Sequence, residues 1–149
     1  MANIMNTHPS SPAVTAGRLL LALYFLLPGV MKFLAFDMHL GLMDRHGVPF
    51  AAPLLIIAGL ANVIGALMLA TNRHVRLAST GFVVYIILVN VMLHDFWNFD
   101  GMEGAHETQN FVKNLGILAG LLVLSGVSVK RSLSFSDLFK SDAAVASND

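Results

Sequence analysis

Hydrophobic residues along this chain fall into four long runs separated by short polar stretches. The runs extend over about residues 12–36, 50–71, 77–95 and 111–129, and the second contains no charged residue. A helix of roughly 20 residues crosses the hydrocarbon core of a bilayer, which is about 30 Å thick. We therefore predict an all-α fold, an integral membrane four-helix bundle whose helices run up, down, up and down.

The two ends of the chain are more polar than these runs. Residues 1–11 predict a flexible N-terminus, residues 12–131 form the predicted transmembrane domain, and residues 132–149 form a predicted tail. The first sixteen residues contain no Lys or Arg, so the first span is expected to act as an uncleaved insertion signal. Within the tail, SLSFSDLFK favours a short amphipathic helix on the membrane surface, and SDAAVASND is typical of disorder.

The basic residues predict the orientation of the spans, because Lys and Arg are retained on the cytoplasmic side. With the N-terminus inside, six basic residues face the cytoplasm and three face outward. The inward residues are Arg18, Arg73, Arg76, Lys130, Arg131 and Lys140, and the outward residues are Lys32, Arg45 and Lys113. We therefore predict that both termini are cytoplasmic and that residues 94–114 lie on the outer face.

The composition excludes several classes of function. Hydrophobic residues make up 56% of the chain and charged residues 12%, which is typical of a membrane protein, and nine acidic residues balance nine basic ones. Without a basic surface, nucleic acid is not an expected partner. Cysteine is absent, so we expect no iron–sulfur cluster and no thiolate metal site. No two His residues lie at the same depth within the spans, where they could bind one haem from opposite sides, so we expect no intrinsic haem. No spacing around His94 and His106 matches a recognised metal-binding pattern.

The stretch HDFWNFDGMEGAHETQNFVKN, residues 94–114, concentrates polar side chains between the third and fourth spans. His94 and Asp95 are the candidate catalytic residues, because an imidazole titrates near neutral pH and a carboxylate beside it can orient it in a proton relay. If the third helix continues, His94 and Trp97 share a face, which makes Trp97 a candidate ligand contact. The alternative is structural: Trp97 anchors the interface, and His94 is solvated or caps a helix.

Polar side chains inside the predicted spans need partners or access to water. Arg18 and Lys32 lie near the two ends of the first span. Lys32 either extends to the interface or turns inward to pair with an acid, for which Asp95 is the first candidate and Glu107 the second. Asn62, in the second span, either bonds to another helix or contacts a ligand.

Small residues four positions apart favour close packing of helices in a bilayer. Gly116 and Gly120 form a GxxxG step in the fourth span, and Ala61 with Gly65 forms a similar step in the second. We interpret both steps as contacts within the bundle, with a homo-oligomer interface as the alternative.

The order of these segments resembles the DoxX family of small bacterial inner-membrane proteins. GRLLLALYFLLPGVMKF is followed by a loop ending in HGVP, a second span rich in small residues, HDFW, and NFVKNLGILAGLLVLSG. The likeness covers about residues 15–130. It implies a four-helix transmembrane bundle in the inner membrane and an association with quinone-linked sulfur or respiratory oxidoreductases.

Individual residues of the chain match this family pattern. Lys32 is similar to the basic residue that ends the family's first span, Lys113 and Asn114 to its Lys-Asn pair, and His94 to its His at the end of the third span. The chain departs from the pattern at Asn62, where many members have a Glu. That departure removes a buried proton carrier from the second span.

The leading hypothesis is a subunit of an oxidoreductase system that binds a quinone or another small hydrophobic ligand near the periplasmic face. Lys32, Lys113 and Asn114 would donate hydrogen bonds to a carbonyl or an oxyanion, and Trp97 and Asn62 would contact the ligand. Electrons would come from a partner protein or a bound organic cofactor. The alternatives are a non-catalytic membrane anchor or scaffold for a partner enzyme, and a carrier of lipid or other hydrophobic cargo.

Overall fold

The computed structural model describes residues 11–131 and 140–146, and within these residues all regular structure is helical. The helices are α1 (Pro12–Leu34), α2 (Phe36–Arg45), α3 (Ala51–Ala70), α4 (Val75–Leu93), α5 (Gly101–Val127) and α6 (Asp142–Ala146), with a 3-10 turn at Phe96–Asn98. By length and composition, α1, α3, α4 and α5 are able to cross a membrane. The predicted four-helix membrane bundle is confirmed.

The four long helices form a ring in the order α1, α3, α4, α5. The contact between α1 and α3 and that between α4 and α5 are the most extensive, whereas α3 meets α4 and α1 meets α5 over smaller areas. The bundle therefore consists of two closely packed helix pairs. The looser seams between these pairs leave room for a cavity.

The centre of the bundle is built from aromatic rings and small residues. Phe25 of α1 stacks on Phe82 of α4, with ring centroids 3.7 Å apart and an interplanar angle of 6°. Gly65 of α3 faces this stack, since a Cβ at that position would lie 2.6 Å from the Phe82 ring. On the α1 side, a Cβ at Gly29 would lie 2.8 Å from the Cβ of Asn62. In the second-span step, Gly65 thus packs within the bundle, as predicted, whereas Ala61 is exposed.

The GxxxG step of the fourth span behaves differently. A Cβ at Gly116 or Gly120 would meet no atom within 4 Å among the residues that the structure describes. Both glycines line a groove between α1 and α5. The interpretation of this step as a packing contact within the chain is therefore wrong, and its use in a homo-oligomer remains a prediction.

The connection between the first two spans contains a helix of its own, α2. Its apolar residues Phe36, Leu40 and Met43 pack around the buried Leu55 of α3, and they recur at the spacing of one helix face. The first long helix ends at Leu34, before the predicted boundary at residue 36. As a result, α2 lies across one end of the bundle.

The fourth long helix begins at Gly101, well before the predicted start of the span at residue 111. Hydropathy finds only the part of a helix that lies in lipid, whereas the hydrogen-bonded helix itself can continue into water. Residues 101–110 are polar and still helical, with Glu103 in the first turn, where the helix dipole favours an acid. Much of the predicted polar connection is therefore a rigid extension of α5.

Arg18 lies at the opposite end of the bundle from α2, and it is buried. Its Nη1 donates to the backbone carbonyls of Leu69 and Ala70 at the end of α3. A cation at this position compensates the carbonyls and the dipole of a helix C-terminus. Arg18 therefore joins α1 to α3 instead of extending freely into the lipid headgroups.

The C-terminal residues described by the structure are ordered against this end. Asp142 is 2% exposed, and its carboxylate accepts hydrogen bonds from the backbone N–H groups of His74 and Val75, each at 2.9 Å. Arg131 pairs with the same carboxylate at 2.7 Å. The prediction of disorder is wrong for residues 142–146, because Asp142 supplies the missing cap of α4. The surface helix predicted for residues 132–140 and the flexibility predicted for residues 1–11 fall on segments of which residues 132–139 and 1–10 lie outside the described residues.

Candidate functional site

A cavity of about 390 Å³ lies at the α2 end of the bundle. Most of its wall is apolar and comes from α1, α2, α3 and α4, and α5 contributes one residue. The polar and charged side chains that line it are Tyr24, Lys32, His39, Asn62, Tyr85, His94 and Asn114. Four of the sequence-predicted site residues thus come together here: Lys32, Asn62, His94 and Asn114.

Lys32 enters the cavity from the last turns of α1. Its Nζ donates to the carbonyl of Pro28 at 3.4 Å and lies 5.9 Å from the centroid of the Tyr85 ring. In the amide orientation that satisfies both neighbours, Asn62 accepts from Lys32 Nζ at 3.3 Å and donates to the carbonyl of Ala58 at 3.3 Å. The Tyr85 hydroxyl lies 3.3 Å from the same amide group. Lysine, amide and phenol therefore form one polar group in an apolar wall.

The predicted acidic partners of Lys32 are both wrong. Within residues 11–131 and 140–146, Lys32 forms no ion pair, while Asp95 pairs with His46 and Glu107 pairs with His94. Each carboxylate thus pairs with an imidazole and not with the lysine. The ammonium group is left with neutral partners only, so it remains available to a polar group of a ligand.

His94 reaches the cavity because α4 ends one residue earlier, at Leu93. Its Nδ1 lies 2.7 Å from Oε2 of Glu107, which is on the inward face of α5 and is 8% exposed. The other carboxylate oxygen of Glu107 lies 3.5 Å from Nδ1 of His106. Glu107 is therefore shared between an imidazole in the cavity wall and an imidazole at the surface.

Asp95 belongs to a separate pair, outside the cavity wall. Its Oδ1 lies 2.6 Å from Nδ1 of His46, and its Oδ2 accepts from the side chain of Asn98 at 2.6 Å. The ring of His46 also makes an edge contact with Phe99, with centroids 5.0 Å apart. This pair fastens the end of α2 to the turn after α4. The predicted relay in which Asp95 orients His94 is wrong, because the two neighbours turn to different partners.

Asn114 is held by a series of hydrogen bonds that crosses three helices. Its Oδ1 accepts from the Tyr24 hydroxyl of α1 at 3.3 Å, and its Nδ2 donates to Oδ1 of Asn90 on α4 at 2.7 Å. Asn90 in turn donates to the carbonyl of Phe111 at 3.2 Å. These bonds fix the orientation of Asn114 and connect α1, α4 and α5 beside the cavity.

Trp97 and Lys113 do not line the cavity. Trp97 lies in the 3-10 turn, is 56% exposed, and packs against Phe96 and Phe111. Because α4 stops before His94, the shared face predicted for His94 and Trp97 does not form. Lys113 is exposed, since it is rotated by about 100° around α5 from Asn114.

Most residues of the cavity wall lie in the part of the chain that matches known proteins. The sequence model of the DoxX family matches residues 13–95, more than half of the chain. The chain belongs to the DoxX family. It is also similar to inner membrane protein YphA of Escherichia coli (strain K12), with 27% identity over 108 residues, 72% of this chain and 77% of YphA. No solved structure matches the chain significantly.

These findings confirm the family prediction and the location in the bacterial inner membrane as a multi-pass protein. The DoxX match includes Lys32, Asn62, Tyr85 and His94 and ends before α5. Glu107, which holds His94, thus lies beyond the matched region.

The structure adds site residues that sequence reasoning missed. Tyr24 and Pro28 line the cavity beside the predicted Lys32, and the spacing of four residues in α1 is the signal that places all three on one helix face. Tyr85 had no such signal, because an aromatic residue in an apolar span is usually part of the core. The sequence suggests Glu107 only as a partner for Lys32, whereas the structure pairs it with His94.

Proposed function

We propose that this DoxX-family protein binds a quinone, or a similar small hydrophobic ligand with a polar head, in the cavity at the α2 end of the bundle. The observation that carries the proposal is a largely apolar cavity of about 390 Å³ into which Lys32, Asn62 and His94 converge. Sites for small molecules typically measure about 300–1,000 Å³ and combine apolar walls with a few placed polar groups. A quinone has the matching chemistry, an apolar body with carbonyl oxygens.

Lys32 is the residue best suited to hold the polar head. A lysine inside a membrane span is costly unless it has a partner, and this one has only neutral neighbours among the described residues. A ligand carbonyl would add a charge-assisted hydrogen bond. His94 and Asn114 offer further polar groups in the same wall.

The position of the exposed lining residues supports entry from the bilayer. Leu54 and Ile57 of α3 and Leu88 of α4 line the cavity, yet they are 37%, 60% and 53% exposed. The water-facing end is instead covered by α2, through the buried Met43 and the His46–Asp95 pair. A ligand with a long apolar tail would therefore enter between α3 and α4 and leave its tail in lipid.

Electron transfer would require a second component in this proposal. The chain contains no cysteine, and among the residues described no group of three or more His, Asp or Glu side chains lies close enough to hold a metal ion. We therefore propose that a partner oxidoreductase exchanges electrons with the bound quinone. The DoxX protein would supply the binding site in the membrane.

The test is mass spectrometry of small molecules extracted from the protein in native lipid particles. Lys32→Met removes the ammonium group and keeps an unbranched side chain that is one heavy atom shorter. Lys113→Met is the matched control, because that lysine is exposed and lies outside the cavity. We expect a quinone enriched in wild type and in Lys113→Met, and absent from a folded Lys32→Met variant. Equal enrichment in all three variants contradicts the role of Lys32. Bulk lipid alone in every sample, wild type included, favours the anchor or scaffold alternative.

A further inference from the structure

Three side chains lead from the cavity to the surface at the α2 end of the bundle. They are His94 in the cavity wall, Glu107 on α5, and His106 beside it. The side chains of His94 and Glu107 are 20% and 10% exposed, whereas that of His106 is 66% exposed. The buried carboxylate thus lies between a sheltered imidazole and a solvated one.

The contacts of Glu107 are divided between its two oxygens. Oε2 lies 2.7 Å from Nδ1 of His94, which is hydrogen-bonding distance. Oε1 lies 3.5 Å from Nδ1 of His106, a separation that a small rotation of the exposed ring or one bridging water closes. With Nδ1 of His94 facing Glu107, the remaining ring nitrogen, Nε2, is left for a ligand.

Two further ion pairs lie near this end of the bundle. Arg45 of α2 faces Glu103 at 3.6 Å, and His46 faces Asp95 at 2.6 Å. Neither pair includes a residue that lines the cavity. Within the part of the chain that the structure describes, Glu107 therefore has two titratable partners, His94 and His106.

We propose that Glu107 carries protons between a ligand bound at His94 and the aqueous surface at His106. A proton leaving a ligand hydroxyl passes to Nε2 of His94, the proton on Nδ1 moves to Glu107, and it continues through His106 to water. Uptake follows the same steps in reverse. Imidazole and carboxylate groups within hydrogen-bonding reach are suited to such transfers. This inference rests on the proposed function, because it requires a ligand with an ionisable hydroxyl, such as a quinol, in the cavity.

A pH jump with a cavity-bound indicator tests the inference without any redox partner. The protein in lipid nanodiscs is loaded with an alkyl-nitrophenol, whose absorbance reports loss of the phenol proton, and empty nanodiscs give the rate for the probe in lipid. The variants are Glu107→Gln, which keeps the shape of the side chain, and His106→Asn, which changes an exposed residue. Glu103→Gln is the control, since it removes a surface carboxylate from the same helix.

We expect the bound probe to lose its proton at least about tenfold more slowly in Glu107→Gln and His106→Asn, because a positioned acid–base group typically raises the rate of a proton transfer more than tenfold. The amount of bound probe should be unchanged. Glu103→Gln should behave as wild type. Wild-type rates in both test variants overturn the proton path but leave the binding site standing. If Glu107→Gln no longer binds the probe, the rate of proton loss in His106→Asn tests the inference. A wild-type rate in His106→Asn would make Glu107 a structural support only and would overturn the inference. A wild-type protein that binds no probe refutes the binding site and the proton path together.

Discussion

Removal of the Asp142 carboxylate should destabilise the end of the bundle opposite α2. The side chains of Asp142 and Arg131 are 3% and 5% exposed, and the carboxylate also caps the N–H groups of His74 and Val75. The preceding loop needs this cap, since His74 itself has a left-handed backbone (φ 47°) and no side-chain cap bond reaches α4 from it.

The expected magnitude follows from these contacts. Loss of a helix N-cap costs about 1 kcal/mol, and removal of one partner from a buried ion pair costs about 3–5 kcal/mol. Because α6 is short and can detach to let water reach Arg131, we expect Asp142→Ala to cost about 2–4 kcal/mol. Asp142→Asn keeps one acceptor oxygen but no charge, so it should fall between wild type and Asp142→Ala.

Two measurements check this expectation. Unfolding of the purified protein in detergent gives the change in stability, and amide hydrogen exchange at His74 and Val75 reports the capping bonds directly. Asp44→Ala is the control, because Asp44 is exposed on α2, at the far end of the bundle. If Asp142→Ala unfolds like wild type within about 0.5 kcal/mol and exchange at these amides is unchanged, the capping argument is refuted.

Three further substitutions test the packing and the cavity. Gly65→Ala should destabilise the fold by about 1–3 kcal/mol, because its Cβ would lie 2.6 Å from the ring of Phe82, which is buried and stacked on Phe25. Gly120→Ala meets open space and should leave thermal unfolding in detergent nearly unchanged. Equal losses in the two variants would contradict this packing. Asn62→Glu places a carboxylate beside Lys32, whose Nζ lies 3.3 Å from the Asn62 amide, and should reduce the amount of extracted ligand, measured by mass spectrometry, since the new ion pair occupies the ammonium group. Ligand retention equal to wild type would show that Lys32 does not hold the polar head.

The candidate site could be predicted only in part from the sequence. The positions of Lys32 and His94 at span ends predict them as site residues, and both line the cavity. Adjacency in the chain predicts that Asp95 acts with His94, yet Asp95 pairs with His46. Adjacency misleads at this point because α4 ends at Leu93 and the chain turns. Lys113 is predicted together with Asn114 because the family resemblance pairs them as a Lys-Asn motif, although neighbouring residues point in different directions on a helix.

The sequence by itself determined the membrane location, the four spans and the family, because hydrophobicity and length act locally and are visible in any window of the chain. Only the tertiary structure decided which polar groups meet. His94 follows α4 whereas Glu107 lies on α5, and Arg18 of α1 meets the end of α3. Asp142 reaches α4 from the far end of the chain. In the apolar interior, a buried polar group pairs with the partner that helix packing places within about 3 Å of it. These partners therefore follow from the packing of the helices and not from the spacing of residues along the chain.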